Sequence, residues 1–178
     1  MARIPYADLQ QAEIRPLAER IVAERGSVLH LYQMLLQSPP VAHGWLTFLT
    51  AIRQHCALPG ALRELVIVRV AQINGAPYEA EQHVPIALRE GVTQAQVDAL
   101  DQWESAGCFD PTQRAALAYA DAMTRQVHVP DEVFAAVHAL LEPRRVVELT
   151  ATIAAYNMVS RFLEALQIDS RDVVSAFR

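Results

Sequence analysis

The chain has no lysine: all 15 of its Lys and Arg residues are arginine. That absence excludes a Schiff-base lysine and a P-loop, because both chemistries need a primary amine. Cysteine is nearly missing as well. Cys56 and Cys108 are the full set, too few for a disulfide framework and not spaced as metal ligands. Aromatic residues make up 7% of a chain that is 52% hydrophobic, so the core must be built mainly from Ala, Leu and Val. Such a composition favours close-packed helices. No run approaches the ~20 apolar residues that a membrane span requires. The opening MARIPYADLQQAEIRPLAERI lacks the continuous apolar core of a secretory signal, so the expected compartment is the cytoplasm, where thiols stay reduced. The net charge of −5 argues against a nucleic-acid or anionic-membrane surface.

At 178 residues the chain suits one domain with a substantial core. No repeat or low-complexity linker divides it. Residues 7–25 predict a helix with Leu9, Ile14, Leu17 and Ile21 as its apolar stripe, its start delayed by Pro16 and its end set by Gly26. A short apolar helix over Ser27–Leu36 closes at Ser38-Pro39-Pro40, and Val41–Cys56 follows with Trp45, Phe48, Leu49 and Ile52 at helical spacing. Thr93-x-x-Gln96 has the form of a capping box, and Asp110-Pro111 pairs an N-cap with proline at the first helical position. Asp131 is the expected cap of the next helix. Pro143 opens the last, which runs through Val146, Leu149, Ile153, Tyr156 and Phe162 to Leu166. No segment alternates with period two, so the fold class predicted is all-α. Residues 170–178 form a short tail with Val173, Val174 and Phe177 apolar, of the sort that frays or docks on a neighbouring subunit.

The centre of the chain is LRELVIVRVAQINGAPYEAEQHVPIALREGV, residues 62–92. It predicts a long amphipathic helix, a turn at Asn74-Gly75 and a second helix broken by Pro85, whose ring removes a backbone donor just past His83. Glu64 precedes Gly75 by eleven residues and His83 follows it by eight. At ~1.5 Å per residue these sit roughly 16 and 12 Å from the bend, at similar heights in an antiparallel pair. Glu79 and His83 are four apart and share a helix face. Two carboxylates and an imidazole can therefore meet in one crevice.

This stretch resembles the carboxymuconolactone decarboxylase superfamily, which includes the AhpD-like alkylhydroperoxidases. The pattern there is a Glu, Cys-x-x-Cys beginning twelve residues on, and a His four residues after the second Cys. Glu64 and His83 occupy the Glu and His positions; Ala76 and Glu79 stand where the cysteines would be, and Tyr78 where a His often lies between them. The HVPIALREGV and AAYNMVSRFLEAL runs extend the resemblance to about residues 35–168, leaving an N-terminal helical extension over 1–34 and a tail over 169–178. The resemblance implies an AhpD-like orthogonal helical bundle assembled as a homo-oligomer, a trimer or hexamer. It implies no metal and no cofactor.

Each candidate side chain carries two readings. His83 titrates near neutrality and can take and give a proton, or it is a helix histidine bonded to a carbonyl or to Glu79. Glu64 either orients His83 and raises its basicity, or steadies the first helical turn with Arg63 as a surface partner. Glu79, at the position of the peroxide-attacking cysteine in thiol-bearing relatives, cannot form a sulfenate or disulfide. It is a second acid or base if burial raises its pKa, or a solvated partner of His83. Tyr78 can donate to a developing oxyanion, or simply pack with its hydroxyl at the rim. Arg161 can bind a substrate carboxylate or bridge two helices. Glu79-x-x-x-His83 also has chelating spacing, but without a second nearby histidine it does not specify a metal. Cys56 reads as a small buried hydrophobe. The function expected is a cofactor-free acid–base enzyme acting on a small organic acid or lactone. The alternatives are an AhpD-like peroxidase and a non-catalytic oligomer that binds a small molecule in the same crevice.

Overall fold

A computed structural model describes residues 1–174, and these contain nine α-helices and no strand. The helices are α1 (Arg15–Arg25), α2 (His30–Leu35), α3 (Pro39–Thr50), α4 (Gly60–Asn74), α5 (Pro77–Arg89), α6 (Gln94–Ala99), α7 (Pro111–Gln126), α8 (Asp131–Leu140) and α9 (Pro143–Leu166). A π-helical turn over Ala51–His55 continues α3, and a 3₁₀ turn over Leu100–Gln102 follows α6. The all-α expectation holds. The chain divides into two compact units, Cys56–Phe162 and a second made of Met1–His55 with the residues from Leu163 on.

In the second of these, Pro16 sets the start of α1, so residues 7–14 are turns rather than the first part of a helix. Leu9, Ile14 and Ile21 are buried all the same. Pro39 and Pro40 lie inside the first turn of α3, where a missing N–H costs nothing; they open that helix rather than close the one before it. Asp169 and Asp172 in this tail bond within the chain. Asp172 accepts hydrogen bonds from the Tyr6 hydroxyl at 2.7 Å and the Ala2 amide at 3.1 Å, and the Asp169 carbonyl lies 2.8 Å from His30 Nδ1. Phe177, expected as an apolar residue of the tail, lies outside the described residues.

The unit Cys56–Phe162 is built around α4. Every residue from Leu62 to Ala71 is buried, so the helix is covered on all sides and is not the amphipathic helix its charged residues suggest. Its neighbours include α5 and α7. Leu65 and Val68 of α4 share a core with Ala87 of α5, Leu117 of α7, Leu100, Trp103 and Phe109. Gly75 makes the reversal into α5 possible: it adopts φ 63°, ψ 40°, a left-handed conformation that a side chain would strain, and its N–H and that of Ala76 return to α4 carbonyls. α5 then runs through Pro85 to Arg89 unbroken. Pro85 is exposed, so the one missing backbone donor falls on the wet side of the helix, where water serves the freed carbonyl.

Both capping boxes form as the local sequence requires, Thr93 with Gln96 and Asp110 with Gln113. Asp131 does not cap α8. The preceding Pro130 holds that position and Asp131 stands in the first turn, where its charge still favours the helix dipole.

Among the described residues Val127 and Gln167 are the non-glycine positions with positive φ, and of the two Val127 is β-branched. Val127, directly after α7, adopts φ 67°, ψ −48°, in γ-turn territory that a β-branched residue rarely enters. Its side chain is 77% exposed and gains little packing in return. Val127→Gly is expected to raise the unfolding free energy by about 1 kcal/mol, measured by urea denaturation. Unchanged or lower stability would show that the strain is not there.

Candidate functional site

The residues that meet lie on α4, α5 and α9, all within Cys56–Phe162. Tyr78, Glu79, His83 and Ala87 are the buried residues of α5, and the last three follow one another at intervals of four. The face that seats Ala87 in the core with Leu65 and Val68 therefore also turns His83 and Glu79 inward. Glu64, in the second turn of α4, is inaccessible to solvent.

His83 Nδ1 lies 2.7 Å from Glu64 Oε2. Glu64 Oε1 accepts from Arg63 Nε at 3.0 Å, so both carboxylate oxygens are bonded by nitrogen donors. Burial by itself would push the Glu64 carboxyl up. The hydrogen bond from His83, the imidazolium charge and the Arg63 guanidinium together outweigh it and hold the group below its ordinary 4.5. A carboxylate can only accept, so Nδ1 carries the proton, and Nε2 is the ring nitrogen that takes or gives one. The Tyr156 ring stands edge-on to the imidazole, 86° between planes and 4.9 Å between centroids, and fixes its tilt from α9.

Glu79 is 2% exposed, so it is not a solvated partner. Its Oε2 accepts from Ser160 Oγ at 2.6 Å. Tyr156 and Ser160 are themselves four apart on α9, and two buried side chains of one helix face thus contact His83 and Glu79 of α5. Tyr78 is buried in the first turn of α5.

The structure puts His83 in hydrogen-bond contact with Glu64, while Glu79, buried one turn earlier on the same face of α5, is bonded to Ser160, and Tyr78 is buried on the same helix. It does not bring in Arg161. That side chain is exposed and donates from Nη1 to the carbonyl and Oδ1 of Asn157, at 3.0 and 2.6 Å, along its own helix. Arg63 is 8% exposed rather than a surface partner. Cys56 is only half-buried, its thiol pushed up by burial and by the Glu148 carboxylate, and Cys108 is exposed; both are free thiols. Tyr156 and Ser160 were legible as inward positions of α9 only once its phase was known. Nothing local ties them to α5. Among the described residues no three His, Cys, Asp or Glu side chains are grouped to hold a metal ion, and no helix is long and apolar enough to cross a membrane.

Residues 39–122 match the carboxymuconolactone decarboxylase family. That stretch, just under half of the chain, carries Glu64, Glu79 and His83 and is similar to members of that family. The uncharacterized protein YdfG of Bacillus subtilis (strain 168) is 28% identical over 106 residues, 58% of this chain and 72% of YdfG. Solved structures share the fold. A peroxidase-related protein with an alkylhydroperoxidase AhpD core from Ralstonia eutropha JMP134 superposes with a TM-score of 0.82 at 19% identity, over 96% of this chain and 93% of that one. The debrominase Bmp8, as a cysteine-to-alanine variant with 2,3,4-tribromopyrrole bound, gives 0.79 at 20% identity over 96% and 95%. At these identities the likeness is one of architecture.

Because folding keeps Glu64 ionised below its ordinary 4.5, its contribution to stability is complete above that value and is lost as pH falls through the lower folded value. The stability margin of the wild type over Glu64→Gln is therefore expected to narrow as pH falls from about 5 through the acid range, as read from urea midpoints. A margin constant over that window would mean that Glu64 is not held ionised by its partners.

Proposed function

We propose that the protein is a cofactor-free acid–base enzyme of the decarboxylase or lactone-transforming kind, acting on a small organic acid or lactone. The observation that carries this reading is the 2.7 Å contact between His83 Nδ1 and a fully buried Glu64. Glu64 orients the ring and stabilises its protonated form, and Nε2 moves the proton. In a decarboxylation the carbon–carbon bond to the carboxylate breaks, CO2 leaves and the electron pair remains as an enolate. Nε2–H of His83 protonates that carbon, and the ring recovers its proton from water. Tyr78 and Glu79 serve the developing enolate, Tyr78 as a hydroxyl donor and Glu79 as a second acid–base group steadied by Ser160.

The peroxidase alternative lacks its reagent. Ala76 and Glu79 occupy the two positions where the resemblance would have cysteines, and neither can be oxidised to a sulfenate. A homo-oligomer, trimer or hexamer, remains part of the same reading. Val147 and Met158 on α9, with Phe134 and Leu140 on α8, supply exposed apolar surface for it.

The test is a panel of carboxylated lactones and β-keto acids, followed by CO2 release and loss of absorbance. His83→Ala is expected to lower kcat/KM by about 10²–10⁴-fold, while Cys56→Ala and Cys108→Ala leave it unchanged. Hydroperoxide reduction with a dithiol donor is expected to be absent. Full activity in His83→Ala, or hydroperoxide turnover lost with the cysteines, would overturn the proposal.

A further inference from the structure

The Glu64–His83 pair does not end at Arg63. The Arg63 guanidinium gives Nε to Glu64 at 3.0 Å and directs Nη2 toward Glu90 Oε1 at 3.6 Å. Four side chains thus form one row of alternating formal charge, Glu90, Arg63, Glu64 and the imidazolium of His83. Burial falls along it from inside to outside. The Glu64 side chain is fully buried, those of Arg63 and His83 are 10% exposed, and Glu90, just past the end of α5, is 43% exposed. The outer end lies against backbone. Gly60, at the start of α4, lies directly beneath the Glu90 carboxyl, and a Cβ added there would overlap Glu90 Oε2. A side chain at position 60 would therefore displace the Glu90 carboxyl from this place.

We infer that Arg63 is a positioning residue, anchored from outside by Glu90 over Gly60, that occupies Glu64 Oε1 so that Oε2 alone faces His83. A carboxylate free to rotate would offer either oxygen and several geometries to the imidazole; one tied at Oε1 offers a single acceptor in a fixed plane. The charge of Arg63 also sets how readily the pair takes a proton. A cation one residue away from Glu64 opposes protonation of the dyad, and Glu90 partly cancels that cation. Glu79 lies one turn before His83 on the same face of α5, and the Tyr156 ring stands edge-on to the imidazole from α9. On its outer side the Arg63 charge is also felt at Cys56, together with those of Glu148 and Arg144. None of these is altered by the substitutions below, so the row can be tested alone. The inference rests on His83 as the proton-moving group only for its catalytic consequence.

The experiment is an NMR titration of the His83 ring in the purified protein, which needs no substrate. Arg63→Met is expected to raise the pH at which the dyad takes its proton by about one unit, and Arg63→Lys to restore most of the wild-type value. Glu90→Gln and Gly60→Ala act on the outer anion, one by neutralising it and the other by displacing it. Both are expected to move the titration the opposite way, by a smaller amount. Opposite signs distinguish a coupled row from mere loosening, which would move all variants alike. The inference fails if Arg63→Met leaves the titration in place, or if the inner and outer variants shift it in the same direction. Should Arg63→Met not fold, Glu90→Gln and Gly60→Ala still decide it, since no shift in either sinks it. A His83→Ala enzyme that keeps its turnover would refute the proposed function and leave the titration result standing.

Discussion

Burying Glu64 is the constraint from which the rest follows. A carboxylate with no solvent contact is tolerable only if both oxygens find charged or strongly donating partners, since an isolated ion in the interior costs several kcal/mol. His83 and Arg63 meet that requirement, one from the neighbouring helix and one from the adjacent residue. Arg63 is then itself nearly buried and draws Glu90 toward it. The charged groups of the site come as a set, and none can be understood without its neighbours.

The helix that carries Glu64 and Arg63 has a further buried charge. Arg69 pairs with Asp121 of α7 through two contacts of 2.7 Å and gives Nη1 to the Leu100 carbonyl at 3.0 Å. Asp121 also lies 3.5 Å from Trp103 Nε1. Buried pairs of this kind add little net stability over apolar residues of the same volume, but a wrong register would strand their charges. α4 is thereby keyed to α5 through Glu64 and to α7 through Arg69, and a helix keyed toward two neighbours has little freedom to rotate. That rigidity suits the proton transfer proposed for His83, because a general acid or base acts only within hydrogen-bond reach of its target.

Much of the fold was legible because its signals are local. Thr93 with Gln96, Asp110 with Gln113, Pro143 and Gly75 act on the backbone within a turn of themselves, and each marks the boundary it predicts. Reading failed where the answer depends on what lies across the helix. α4 looks amphipathic because Arg63, Glu64 and Arg69 are charged, yet all three are inside. Pro85 reads as a break, but its position on the exposed side lets α5 continue. In YNMVSRF the eye goes to Arg161, whereas the phase of α9 turns Ser160 to the interior and Arg161 to solvent.

By itself the sequence determined that helices would form, where most of them would end, that Glu79 and His83 would share a face, and that neither thiol of the family pattern would stand at positions 76 and 79. Helical period and capping chemistry suffice for that, since both operate within a few residues. Only the tertiary structure decided that Glu64 would bond Nδ1 of His83, that Ser160 would donate to Glu79, and that Arg63 would be buried between two carboxylates. Those outcomes depend on how one helix is rotated against another, and that rotation is set by the packing of the whole core, which no local stretch of residues encodes.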